Sequence, residues 1–299
     1  AIVNCTHVVT TRGGIMLLST RDTLFRSDNN GASWRPVLHS WPPGLYPPCI
    51  DTSGTIFVVT VGKDLKVSTD QGLSWSSRSL VAMEFSSLAA APDGSLYGYV
   101  WRGELFRSED RGAVWTLVPR KGGTAPSYVT CMEFDPGGRL LVGDFYDGLF
   151  RIPADSIAWQ QLRGSSLDQL WYPRYLAELA ISDAGTLAVR TDRDALLYSN
   201  DGGRSWLLNP KRFFGSWGNP VLKGGRSDAF LTYTVDSVFI SDDGAVSWRS
   251  RAPPDGPPHA VLQTRSGAIL LGGSTGVFRS ADGGRTFLPA SASLGIHSV

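Results

Sequence analysis

Long apolar runs are missing from this 299-residue chain. None approaches the roughly 18 residues that a membrane-crossing helix needs, so no membrane insertion is expected. Excess charge is missing too. The 28 Lys and Arg against 27 Asp and Glu leave a net +1, which gives no global pull toward nucleic acid or acidic lipid. Cysteine is scarce and odd in number: Cys5, Cys49 and Cys131 cannot all pair internally. Cys5 and Cys49 are open to pairing with each other or to life as small buried thiols. The four histidines, His7, His39, His259 and His297, lack the spacing of a zinc site, so no metal is expected. There is no phosphate loop, no Gly-x-Ser-x-Gly elbow and no dinucleotide fingerprint, so no cofactor is expected. No basic segment followed by an apolar stretch opens the chain. A start of Ala1-Ile2-Val3 suits a processed or trimmed N-terminus.

Turn residues, by contrast, are abundant: 34 Gly and 18 Pro. They fall in a repeat. A Ser is followed by a polar turn with Asp and Gly, then by a Trp seven residues after the Ser, as in Ser68-Thr69-Asp70-Gln71-Gly72-Leu73-Ser74-Trp75. The aromatic anchors are Trp34, Trp75, Trp115, Trp159, Trp206, Trp248 and Phe287, spaced by 41, 40, 44, 47, 42 and 39 residues. Fourteen residues before the Ser stands a Gly: Gly13, Gly54, Gly94, Gly138 (ahead of Ile152) and Gly185. The sixth unit has Ser227 there, and the seventh has Gly267 one residue closer. Short apolar runs such as Thr55-Ile56-Phe57-Val58-Val59 flank these turns, giving four short strands per unit. A period of about 40 to 50 residues with four strands per period predicts an all-β, seven-bladed β-propeller with four-stranded antiparallel blades.

The motif closely resembles the Asp-box, or BNR, repeat of sialidase-like propellers, and the resemblance covers nearly the whole chain. It implies a structural role for Asp70, Asp110, Asp201, Asp243 and Asp282 and for Trp34, Trp75, Trp115, Trp206 and Trp248. The Asp is suited to accept turn N–H groups. The Gly supplies positive φ, and the Trp fills the space between blades while its indole N–H finds a partner. Asn29 replaces the first Asp, Gly244 and Ala245 stand in swapped order, and the fourth copy keeps only Trp159. The expected units run about 1–38, 39–80, 81–120, 121–163, 164–209, 210–251 and 252–290, as one ring spanning 1–290. The piece 291–299 is expected to be a tail, a tether toward a further domain. The resemblance also favours export.

Function is read from the loops, which vary while the scaffold holds them. Turns between second and third strands carry Asp22, Asp64, Glu104, Asp147, Asp194 and Asp236. This is either an acidic ring at the channel mouth or a repeated preference for Asp in turns. Basic neighbours Arg21, Lys63, Arg102 and Arg193 weaken its field. Loops between blades hold aromatics: Trp41 and Tyr46; Trp171, Tyr172 and Arg174; Phe214 and Trp217. Trp101, Tyr146 and Asp147 lie close by in the strand-to-strand turns. Flat rings beside polar forks suit a glycan or an extended peptide. The run Phe150-Arg151-Ile152-Pro153 matches a sialidase motif by letters. In frame it aligns with Phe106-Arg107-Ser108 and Phe278-Arg279-Ser280, a third strand. The resemblance places the sialidase arginine near the start of its domain, on an inner strand of a six-bladed ring. Glycoside hydrolases of the xyloglucanase type place their two carboxylates between two seven-bladed rings. For a hydrolase, the candidate acids here are Asp51, Glu133 and Asp144. The expected function is therefore recognition or scaffolding, with a glycan or protein partner and no catalysis. The alternative is a glycoside hydrolase acting on a polysaccharide.

Overall fold

The computed structural model describes residues 7–11, 13–31, 33–80, 83–100, 103–119, 125–153, 158–162, 176–191, 195–210, 222–264, 266–274 and 276–290. Among them are seven four-stranded sheets, each ordered as its strands follow in the chain. The expected all-β propeller of seven antiparallel blades is what forms. The first blade contains β1 (His7–Thr10), β2 (Met16–Ser19), β3 (Thr23–Ser27) and β4 (Arg35–His39), paired as successive hairpins.

Burial follows position in the blade. The second strands are close to fully buried, as in Met16–Ser19, Ile56–Val59 and Leu187–Thr191. The fourth are exposed, as in Thr116–Leu117 and Leu288–Pro289. First strands such as Val129–Phe134 are half-buried, because their free edge lines the central channel.

The core is divided into seven apolar clusters, one at each junction between adjacent blades. Each holds one aromatic anchor. Trp75 packs with Leu17 and Leu24 of blade 1 and with Ile56 and Val58 of blade 2. Trp206 packs with Leu141 and Leu149 of blade 4 and with Leu187 and Leu197 of blade 5. Trp34 belongs to the cluster in which Val8 and Met16 meet Leu270 and Val277. That contact closes the ring by side-chain packing, with blade 1 complete in its own strands. Trp206 and Trp159 are buried; Trp34, Trp75, Trp115, Trp248 and Phe287 are half-buried.

The turn between first and second strands corrects one detail. The left-handed residue is the repeat glycine at Gly54, Gly94, Gly138, Gly185 and Gly267, but Gly14 rather than Gly13 in the first blade. Gly14 donates to the Thr11 carbonyl as Gly54 does to that of Asp51, so this first unit is one residue short. Ser227 takes φ 56° in the sixth, an uncommon conformation for a residue with a Cβ.

Candidate functional site

The ring has two faces. One carries the repeated Ser-Asp-Gly-Trp hairpins, and their chemistry is internal. The Ser68 hydroxyl donates to Asp70 Oδ1 at 2.7 Å and accepts the Gly72 N–H at 2.8 Å. Asp70 also accepts the Leu73 and Ser74 N–H groups and the Ser74 hydroxyl. Asp110, Asp201, Asp243 and Asp282 repeat the pattern. The hydroxyl of Ser74 holds the Asp70 carboxyl well below the usual range, and Ser205 does the same to Asp201. Two successive left-handed residues turn the chain: Gln71 and Gly72, Gly202 and Gly203, or Gly244 and Ala245. The indole N–H of Trp34, Trp115, Trp206 and Trp248 then closes on the second one's carbonyl at 3.0 to 3.2 Å. Asn29 keeps the Asp role through its amide oxygen. Residues 154–157 of the fourth hairpin lie outside the described residues.

The second region is the channel wall. Glu133 sits on β13 (Val129–Phe134) and Glu178 on β17 (Leu176–Ile181). Lys223 is on β21 (Lys223–Gly224). Arg190 of β18 (Leu187–Thr191) donates to Glu178 at 3.1 Å, and the Leu222 N–H reaches the same Oε2 at 2.9 Å. Burial pushes Glu133 up to about 7, against the opposing pull of Lys223 and the Ile181 amide. Burial, then the Lys223 charge, lowers His7 to about 4. Sequence reasoning missed Glu178, Arg190 and Lys223, because charged residues on inner strands carry no periodic signal.

The candidate acids are not brought together. Asp51 lies in the turn after β5 (Cys49–Ile50), where one carboxylate oxygen accepts the Ser53 and Thr55 N–H groups and the Ser53 hydroxyl. Asp144 ends β14 (Leu140–Asp144) at the opposite face. It is fully buried. Its oxygens take four backbone N–H groups, from Ser127, Tyr128, Tyr146 and Asp147, at 2.5 to 2.8 Å. Glu133 pairs with Leu141, three residues from Asp144 and so about 10 Å along the strand. Arg151 of the Phe-Arg-Ile-Pro run lies on β15 (Gly148–Ile152) and donates to Gly202 O and Gln160. Both cysteines among the described residues are free thiols, and burial pushes Cys49 and Cys131 up to about 12.

The third region is the loop face. Its turn acids serve their own turns: Asp22 accepts the Thr20 and Thr23 hydroxyls, Asp236 that of Thr234, and Asp64 pairs with Lys66. Glu104 is exposed, and Asp147 is half-buried beside exposed Tyr146. Tyr146 makes edge contacts with Tyr128 and Phe145 at 5.8 and 5.0 Å. Trp101, Trp171, Tyr172, Arg174, Phe214, Trp217 and Asp194 lie outside the described residues.

Among the described residues, a concavity lies on this face between blades 2 and 3. It holds about 300 Å³ and is lined by Tyr46, Val59, Val61, Met83 and Phe85, with Lys63 and Glu84 among its polar residues. Lys63 and Glu84 pair at 2.5 Å, both well exposed. The loop beside it is strapped down. Ser40 N–H donates to Asp22 O, Leu45 to Arg21 O, Tyr46 to Val59 O, and Val61 to Gly44 O. Gly44 has φ 153°, and a Cβ there would meet Val61 at 2.2 Å, so this close approach needs a glycine. Trp41 stands on that anchored loop 89% exposed. The anchored loop thus presents an unburied indole beside an apolar hollow.

No family model matches this sequence, and no curated protein matches it. Solved structures do. YCF48 bound to D1 peptide is 16% identical, with a TM-score of 0.70 over 92% of each chain. A GH74 enzyme of Niastella koreensis is 14% identical with a TM-score of 0.73, covering 97% of this chain and 54% of that one. This chain thus spans about half of that enzyme's length. A streptogramin B lyase is 9% identical with a TM-score of 0.73 over 93% of each chain. At these identities the likeness is one of fold, and the fold these proteins share with this chain is the propeller.

Proposed function

We propose that this protein is a non-catalytic recognition or scaffold propeller that holds a protein or glycan partner on its loop face, and that its repeated hairpins are Asp boxes. The observation that carries this reading is the contrast in what the loop face leaves available. Its carboxylates Asp22 and Asp236 are engaged with their own turns, and Asp144 with its own turn and with Ser127 and Tyr128. Its apolar groups Trp41, Tyr46, Val61, Tyr128 and Tyr146 are exposed. Stacking and apolar contact supply area there, and the Lys63–Glu84 pair supplies orientation. A propeller neighbour bound to a peptide supports a protein partner. The aromatic wall of Trp171, Tyr172, Arg174, Phe214 and Trp217, with Trp101, extends the same face in this proposal. Export, and a tether role for 291–299, belong to the same reading. The experiment is binding to a glycan array and to a peptide array, for wild type, Trp41→Ala, Trp171→Ala and Trp217→Ala. Circular dichroism serves as the folding control. Loss of about 2 kcal/mol or more marks a hot-spot anchor. Unchanged binding in all three variants would return those rings to loop packing.

A second reading is a glycoside hydrolase, favoured by Glu133, a candidate acid that burial raises to about 7, and by the GH74 neighbour. Sugar release from a polysaccharide panel that disappears in Glu133→Gln would support it. No release by wild type removes it.

A further inference from the structure

Five of the blades brace the hairpin of the next. Arg26 Nε donates to the Gln71 carbonyl at 2.9 Å. Arg78 reaches the carbonyls of Asp110 and Arg111 at 2.8 and 2.6 Å. Arg151 donates to Gly202 O at 3.3 Å and Arg249 to Gly283 O at 2.8 Å. The Asn209 amide does the same for Ala245 and Val246. These carbonyls lie at hairpin tips outside any ladder, so a side-chain donor is what satisfies them.

At the junction of blade 7 with blade 1 the brace is missing among the described residues. Arg279 occupies the place held in other blades by Arg26, Arg107 and Arg151, one residue before the hairpin Ser or its Ile152 replacement. Arg26 pairs with Asp28, and Arg107 with Asp93 and Glu109. Arg279 has no such acid, because Ala281 stands where Asp28 and Glu109 do, and Ser266 where Asp93 does. Its Nε is buried without a partner, as are those of Arg107 and Arg151, but the terminal nitrogens of those two find Asp93, Glu109, Gly202 O and Gln160. A groove of about 450 Å³ opens at this point, lined by Asn30, Arg279, Asp282, Thr286, Leu288 and Ala290. The Asp282 carboxylate is already engaged by Ser280, Arg285 and Thr286. Leu288 is 68% exposed. The groove therefore offers one unanswered guanidinium beside an apolar wall. A planar fork of this kind is matched by a carboxylate, and partial burial weakens its screening by salt.

We propose that this seam groove docks an acidic segment of a partner polypeptide, with a carboxylate on Arg279 and an apolar side chain against Leu288 and Ala290. The site is separate from the loop face and stands or falls independently of it. The probe is a fluorescein-labelled decapeptide carrying three glutamates and two leucines, followed by fluorescence polarisation. A version with lysines in place of the glutamates is the control. Wild type should bind the acidic peptide and not the basic one. Arg279→Gln should weaken binding about tenfold, the scale of one charge-assisted bond. Ala281→Glu should weaken it similarly while keeping Arg279, because it supplies the internal acid that Glu109 gives Arg107. Circular dichroism and thermal melts confirm that both variants fold. Equal binding of the two peptides, or full binding by both variants, would overturn the proposal. So would tighter binding of an acidic oligosaccharide such as oligogalacturonate. So would self-association in sedimentation that Arg279→Gln abolishes, since the groove would then belong to a second copy of this chain.

Discussion

The hairpin face and the loop face of this ring use the same residue types for different ends. On the hairpin face a carboxylate, a hydroxyl and an indole meet in one repeated hydrogen-bonded unit, from Asp70 to Asp282. The carboxylates of these units are spent within the hairpins, and the seam groove at Arg279 stands apart from that pattern. On the loop face the turn acids are likewise engaged, but each loop is different and large apolar groups stay in water, Trp41 most of all. Repetition marks what the scaffold needs, and departure from repetition marks where the proposed recognition would lie.

The largest expected effect comes from removing an anchor on the hairpin side. Trp206 is 2% exposed, and Trp206→Ala should cost about 3–5 kcal/mol in chemical denaturation. A cost near zero would mean that the blades cohere without their anchors. Glu133→Gln tests the wall between the faces. Burial raises Glu133 to about 7, above its unfolded value of about 4.3. A raised carboxyl favours the folded state only while protonated, so relative to Glu133→Gln wild type should lose stability as pH rises from about 4 toward about 7, while the lowered His7 adds an opposite rise to both proteins. The variant should lack that loss, keep the rise that His7 gives, and be more stable than wild type at pH 8. Parallel stability curves would contradict a protonated Glu133.

Smaller effects separate the faces further. Asp70 is held low by the Ser74 hydroxyl and amide. A depressed carboxyl gives stability above its unfolded pKa of about 4 that is lost as pH falls below it. Asp70→Asn should fold at neutral pH, since Asn29 already performs that role in the first hairpin, and should lose less stability on acidification than wild type. Acid melts of the two proteins decide it. At the other extreme, Trp41→Ala should change stability by no more than about 0.5 kcal/mol. A larger loss would show that this indole is structural.

The ring was legible in the sequence because its turns are chemically demanding. Two left-handed residues in a row, then a slab of indole, leave a record in Gly72, Gly203 and Trp206 that survives Asn29 and Ala245. The slip at Gly13 has the same origin: with two glycines adjacent, spacing alone does not say which takes positive φ, and Gly14 does. The site was less legible. Asp144 reads as a candidate hydrolytic acid because it lies near a predicted inner strand. Only the fold shows two of its N–H partners arriving from Ser127 and Tyr128, 17 and 16 residues away. The hollow beside Tyr46 and Met83 is assembled from two blades and has no motif. Arg279 reads like any other arginine of its register until its neighbours Ala281 and Ser266 are compared with the acids of the other blades.

The most direct measurement places one charge on each face. Val61 on the loop face is 49% exposed and Leu73 on a hairpin tip is 58% exposed, so both tolerate aspartate. Val61→Asp and Leu73→Asp, with wild type, are compared on the same peptide and glycan arrays after matched thermal melts. Assigning recognition to the loop face predicts that Val61→Asp abolishes the wild-type signal while Leu73→Asp retains it. Loss in Leu73→Asp with full binding in Val61→Asp would contradict that assignment.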